Sequence, residues 1–243
     1  MSTNEQHGLL EKLFSVGAHY GLVRSRRHPS VLPYIFGEKN KIELFDLEKT
    51  AQKLAEAEAF LETIASQGGL ILMVGGKAEA RKAIADSAQS LGLPYVASRW
   101  LGGTLTNFPE IKKRIAKLED LTAKREKGEL SKFTKLERLM IDREIERLER
   151  SFGGLIPMKA LPKALFVVDP RKESIAVAEA ARLKIPVVAL AGSDCDMRAV
   201  AYPIPANDAA QASVAHFVES ISAAIERGRR RMAAPEAAPA VAS

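Results

Sequence analysis

The run Leu70-Ile71-Leu72-Met73-Val74 is apolar at five consecutive positions, with Gly68-Gly69 before it and Gly75-Gly76 after it. A strand with one wet face alternates apolar and polar residues. A continuous run of this length reads instead as a strand covered on both faces, the condition of a parallel sheet between helical layers. Two later runs repeat the pattern, Ala164-Leu165-Phe166-Val167-Val168-Asp169 and Ile185-Pro186-Val187-Val188-Ala189-Leu190. The text around these strands is helical in period. Asp46 is placed to cap a helix over 46–66, with Leu47, Leu54, Ala57, Phe60, Leu61 and Ile64 near one face. Further helices are predicted over 78–91, 173–183 and 209–227, and a short one from Leu9 to Gly17. Further strands are predicted over 42–45 and 94–97, with an extended piece over 204–208. Strands alternating with helices predict an α/β fold with a doubly wound, mainly parallel sheet of Rossmann-like topology.

That alternation breaks at 108–152. Between Glu110 and Arg150 stand 13 Lys/Arg and 10 Asp/Glu, too many for a globular core. Ile111, Ile115, Leu118 and Thr122 recur at three- and four-residue steps. Leu136, Met140 and Leu148 continue the seam in a second helix. Gly128 marks the turn. The segment is therefore predicted to be an inserted antiparallel coiled-coil hairpin, each arm reaching roughly 30 Å at helical rise. The predicted domains are a discontinuous α/β domain over 1–107 and 153–228, the hairpin over 108–152, and a basic, Ala/Pro-rich disordered tail over 229–243.

Two stretches point toward a polyanion. The chain is modestly basic, with 36 Lys+Arg against 30 Asp+Glu and a net charge of +6, so the placement of charge matters more than its sum. From Leu22 to Lys41 there are five basic residues, Arg24, Arg26, Arg27, Lys39 and Lys41, against one acid, Glu38, and Tyr20, Tyr34 and Phe36 flank the charges. Cations among aromatics are what a phosphate-binding and stacking surface requires. The second stretch, Arg99-Trp100-Leu101-Gly102-Gly103-Thr104-Leu105-Thr106-Asn107, holds the single Trp. A guanidinium beside a glycine pair suggests an anion held close to backbone. Trp100 and Leu105 also suit burial, and Asn107 suits a cap for the hairpin.

A complete catalytic set is missing. His7, His19, His28 and His216 are scattered without metal-ligand spacing, and Cys195 is the single cysteine. Val74-Gly75-Gly76-Lys77 before a helix resembles a phosphate cradle, and defines an alternative reading as a phosphate- or nucleotide-binding protein. It lacks the full P-loop and dinucleotide patterns, because Ala78 follows Lys77. Asp169, Asp194, Asp196 and Asp208 fall at or after predicted strand ends, where open α/β sheets place ligand groups. With His19 they define a candidate polar cluster, although turn and cap roles explain such Asp residues equally well. A start without the apolar run of a signal peptide, and no apolar run long enough for a bilayer, predict a cytoplasmic protein without membrane partners.

Gly17-Ala18-His19-Tyr20-Gly21, Pro33-Tyr34-Ile35-Phe36-Gly37 with Asn40-Lys41-Ile42, Arg99-Trp100-Leu101-Gly102-Gly103 closed by Asn107, Leu155 after Gly153-Gly154, and Pro162 through Asp169 are together similar to the bacterial-type small-subunit ribosomal protein two (universal S-two) family. The resemblance covers about Leu9 to Gly228. It implies an α/β domain with a protruding coiled coil and no enzymatic activity. It also implies binding to small-subunit rRNA and contacts with neighbouring ribosomal proteins, with help in docking the large mRNA-binding ribosomal protein one. No cofactor and no homo-oligomer are implied. The candidate RNA-binding residues are Arg24, Arg26, Arg27, Lys39, Lys41, Lys77, Arg99, Trp100, Gly103 and Thr104. Leu22 stands where the family pattern has His, His28 where an aromatic is usual, and Gly192-Ser193-Asp194-Cys195-Asp196-Met197 in place of Asp-Thr-Asn-x-Asp-Pro. These departures predict no metal site, and an altered surface toward protein one.

Overall fold

A computed structural model describes residues 3–233. The main sheet contains β4 (Ile71–Val74), β5 (Tyr95–Val96), β6 (Ala164–Val168), β7 (Val187–Ala191) and β8 (Tyr202–Pro205), all parallel in the order β5-β4-β6-β7-β8. Every residue of β4, β6 and β7 is buried, as their unbroken apolar text requires.

Successive side chains leave a strand on opposite faces, and here they feed two separate cores. Ile71, Met73, Phe166, Val168, Val188 and Leu190 enter one core. It is closed by α1 (Thr3–Ser15), α2 (Leu47–Ser66), α3 (Ala78–Ser90) and α7 (Gln211–Ala233). Leu72, Val74, Leu165, Val167, Val187 and Ala189 enter the other, closed by Trp100, by α6 (Ser174–Arg182) and by the roots of the hairpin helices. α2 begins as predicted: the Asp46 carboxylate accepts from the N–H groups of Glu48 and Lys49 at 3.1 and 3.3 Å. α7 continues to Ala233, so Arg229–Arg231 are helical rather than part of a disordered tail. Arg227 and Arg231 are held by Glu58 and Glu62 of α2. The Ala/Pro-rich remainder, 234–243, lies outside the described residues.

The hairpin pairs α4 (Phe108–Glu126) with α5 (Lys135–Phe152) across Gly128, whose φ of 71° is the left-handed conformation that glycine adopts without penalty. Its seam differs from the sequence reading. Ile111, Ile115 and Leu118 are buried, but they meet Ile145, Leu148 and Phe152. Leu136 and Met140 are 69% and 59% exposed on the outer face. Asn107 occupies the N-cap position of α4, yet its side chain makes no capping bond. The second helix is capped fully: Thr134 and Glu137 form a reciprocal capping box.

A small antiparallel sheet, β1 (Tyr20–Val23), β2 (Ile35–Lys39) and β3 (Ile42–Phe45) in the order β1-β3-β2, stands where the sequence predicted a strand only over 42–45. Asn40 and Lys41, with φ of 53° and 66°, make a two-residue turn in which both centres are left-handed.

Candidate functional site

The loops after the five parallel strands converge at one end of the main sheet. They are 75–77 after β4, 97–107 after β5, 169–173 after β6, 192–198 after β7 and 206–210 after β8. The small sheet is fastened to the same end, because Ser193 accepts from the N–H of Leu22 through Oγ at 2.8 Å and from the N–H of His28 through its carbonyl at 2.9 Å. Val23 pairs with Ile42, so the turn carrying Arg24 and Arg26 leaves the small sheet beside the Asn40-Lys41 hairpin turn.

At the centre of this end, Lys77 Nζ lies 3.2 Å from Asp169 and 3.1 Å from Asp208. Burial pushes the Asp208 carboxyl up, to about 6, against the pull of Lys77. Burial lowers the Lys77 pKa, but Asp208 and Asp169 outweigh it and leave the ammonium above its usual range. Burial also pushes the Cys195 thiol up, with Asp169 and Asp208 adding to the effect. Ligand atoms of Asp169, Cys195 and Asp208 lie within 4.8 Å of one another. The compensating positive charge there is the Lys77 ammonium. His19 is not part of this cluster: its ring stacks on Phe14 at 4.5 Å and tilts against Tyr20 at 4.1 Å.

The glycine turn of the alternative reading is filled by the chain itself. The Gly76 N–H, where a phosphate oxygen would be cradled, donates to Glu173 Oε1 at 3.1 Å. A Cβ on Gly76 would stand 2.6 Å from the Ser98 carbonyl, so only glycine permits this closure.

The stretch 99–107 does hold an anion against its backbone, and the anion is Glu179 of α6. Its carboxylate accepts from Trp100 Nε1 at 3.1 Å, from the Gly103 N–H at 2.7 Å, from the Leu105 and Thr106 N–H groups at 3.0 Å each, and from Thr106 Oγ1 at 3.1 Å. Burial raises the Glu179 pKa, but the donors of Thr106, Trp100, Gly103 and Leu105 outweigh it and hold the carboxyl below its ordinary range. Sequence reasoning missed this residue. Its signal was a lone acid inside Ala176-Val177-Ala178-Glu179-Ala180-Ala181, a helix face otherwise fit for burial.

The candidate RNA-binding residues therefore separate into two groups. Arg27 is committed to the buried Glu43 at 2.7 Å, and Lys77 to two aspartates. Trp100 and Gly103 serve Glu179, and Thr104 is buried with Oγ1 donating to the Leu101 carbonyl at 2.6 Å. Arg24, Arg26, Lys39, Lys41 and Arg99 are exposed, and none has an acidic partner among the described residues. Of the other basic residues in these loops, Arg171 is engaged by Asp194 and Arg198 by Asp196, while Lys172 is exposed without an ion pair among the described residues. Close to β3, an apolar groove of about 630 Å³ runs between α1, the small sheet and the start of α2. Phe14, Phe36 and Leu44 line it, and Glu11, Asp46 and Glu48 stand on its rim.

The ligand end of the parallel sheet is thus closed by the chain's own carboxylates, beside a charged arm and a fringe of exposed cations. Comparison with known proteins gives the family. The family model of Ribosomal protein S2 matches residues 13–228. The Small ribosomal subunit protein uS2 of Roseiflexus sp. (strain RS-1) is 45% identical over 223 residues, spanning 91% of this chain and 85% of that protein. The chain belongs to the ribosomal protein S2 family, non-enzymatic components of the small ribosomal subunit.

Proposed function

We propose that the chain binds small-subunit rRNA through Arg24, Arg26, Lys39, Lys41 and Arg99, at the end of the main sheet where its strand loops converge. One observation carries this reading. Arg27, Lys77, Arg171 and Arg198 of that end are neutralised within the chain, whereas these five are exposed with no acid beside them among the described residues. Uncommitted Lys and Arg side chains bind phosphates by displacing counterions, with little base reading. Replacing Arg24, Arg26, Lys39 and Lys41 together with Ala should weaken rRNA binding at least tenfold at physiological salt, given about 0.9 counterions released per phosphate contact. Arg171→Ala, whose guanidinium Asp194 already holds, should bind as the parent does. A quadruple variant with parental affinity would overturn the assignment.

The groove at Phe14 and Phe36 supports the second role, docking of the large mRNA-binding ribosomal protein. Phe36 is 79% and Phe14 64% exposed, and the rim acids favour an apolar segment that carries basic residues. Phe36→Asp should abolish co-sedimentation of that protein with subunits containing the variant. Full retention would remove this role from the groove.

A further inference from the structure

The outer face of α5 remains unassigned. At about 100° per residue, Arg143, Arg147 and Arg150 fall within a narrow strip on the side of α5 facing away from the Ile145–Leu148–Phe152 seam. All three are exposed. Among the described residues, neither Arg143 nor Arg150 has an acidic partner, and Arg147 has only a loose one, Glu144 at 3.9 Å. Glu144 is itself claimed by Lys117 of α4 at 2.6 Å. Asp142, Glu146 and Glu149 lie to one side of the strip, and Glu144, already held by Lys117, lies to the other.

The strip does not end at Arg150. That residue lines a groove of about 520 Å³ at the root of the hairpin, together with Arg81, Lys82, Tyr95, Ser98 and a single acid, Glu149. Arg81 is steadied there, its Nε donating to the Gly76 carbonyl at 3.1 Å while its remaining donors stay available. Ser98 Oγ donates to the Arg150 carbonyl at 3.1 Å, joining the root of α5 to the loop that carries Arg99. Cations thus continue from the end of the main sheet through the groove and out along the arm.

We propose that this track, Arg81 and Lys82 in the root groove followed by Arg150, Arg147 and Arg143 along α5, holds one strand of RNA by its sugar–phosphate backbone. Steps of three and four residues separate the arginines by roughly 4.5 and 6 Å along the helix axis. Each guanidinium presents a planar fork of donors to a phosphate. The proposal rests on the rRNA-binding reading above and extends it to the arm.

Hydroxyl-radical footprinting of small-subunit rRNA bound to the full chain tests it. A variant with Arg143→Ala, Arg147→Ala and Arg150→Ala should lose one contiguous set of backbone protections and keep those that depend on Arg24, Arg26, Lys39 and Lys41. Its log–log salt slope should flatten by about two, near 0.7 per lost contact on a single strand. The Arg→Lys version, which keeps the charge, should restore most of the slope, and its circular dichroism and that of the Ala version should show the parental helix content. Unchanged protections and slope in the Ala variant, with binding still lost in the quadruple variant of the main-sheet end, would overturn the track alone. Parental binding by both variants would overturn the track and the reading beneath it.

Discussion

Glu179 and Lys77 show how single charges hold loops that a fold of this kind otherwise leaves open. Glu179 gathers four residues of the stretch 100–106 onto α6, and Gln in its place keeps one neutral acceptor oxygen and turns an NH2 group toward the remaining donors. Glu179→Gln should cost about 3 kcal/mol in urea unfolding, the scale for buried donors stripped of a charged partner. The pH dependence has a definite sign. A carboxyl held below its unfolded pKa of about 4.3 contributes stability above that pH and loses it as pH falls through the lowered value. The parent should therefore lose stability below about pH 4 more steeply than the Gln variant. Asp208, the buried partner of Lys77, behaves in the opposite sense. With Asp208 pushed up to about 6, the folded state holds the extra proton between about pH 4 and that value, so stability from this group falls as pH rises through the window. Lys77→Met takes the cation from two neighbouring carboxylates, and should cost about 3–5 kcal/mol at pH 7.5. The deficit should be smaller at pH 5, where a protonated Asp208 needs no cation. An equal deficit at both pH values would contradict this account of the cluster.

Among the elements, the doubly buried strands and their helices were legible because burial on both faces leaves an uninterrupted apolar run that little else explains. β1 and β2 were not. Their burial is partial, their text is broken by Gly21, Gly37 and Glu38, and neither has a face that alternates cleanly. The Asn40-Lys41 turn carried a hint in its Asn, but Lys is an unusual second residue for a left-handed pair. The hairpin was legible in outline and misread in register. Leu136 and Met140 keep the seam spacing with Leu148 only approximately, and the helix turns Ile145 inward instead. Ile145→Ala should therefore cost about 2–5 kcal/mol in unfolding free energy, as for other buried Ile. Leu136→Ala, at an exposed position, should change stability by no more than about 0.5 kcal/mol. The reverse order would return the seam to the positions the spacing favoured.

In the whole molecule, charge is arranged so that the sheet end neutralises itself at its centre and stays positive at its fringe. Lys77, Arg171 and Arg198 are spent on internal carboxylates. Arg24, Arg26, Lys39, Lys41 and Arg99 remain available. The same placement separates this scaffold from the nucleotide binders whose sheet it shares, since Glu173 already occupies the Gly76 donor. The most direct test is binding of the purified chain to small-subunit rRNA across a salt series, with nucleotide binding measured on the same sample. Tight rRNA binding that weakens steeply with salt, and no saturable nucleotide affinity, is the predicted result. Saturable nucleotide binding, with rRNA association weak and indifferent to sequence, would contradict the account at its centre.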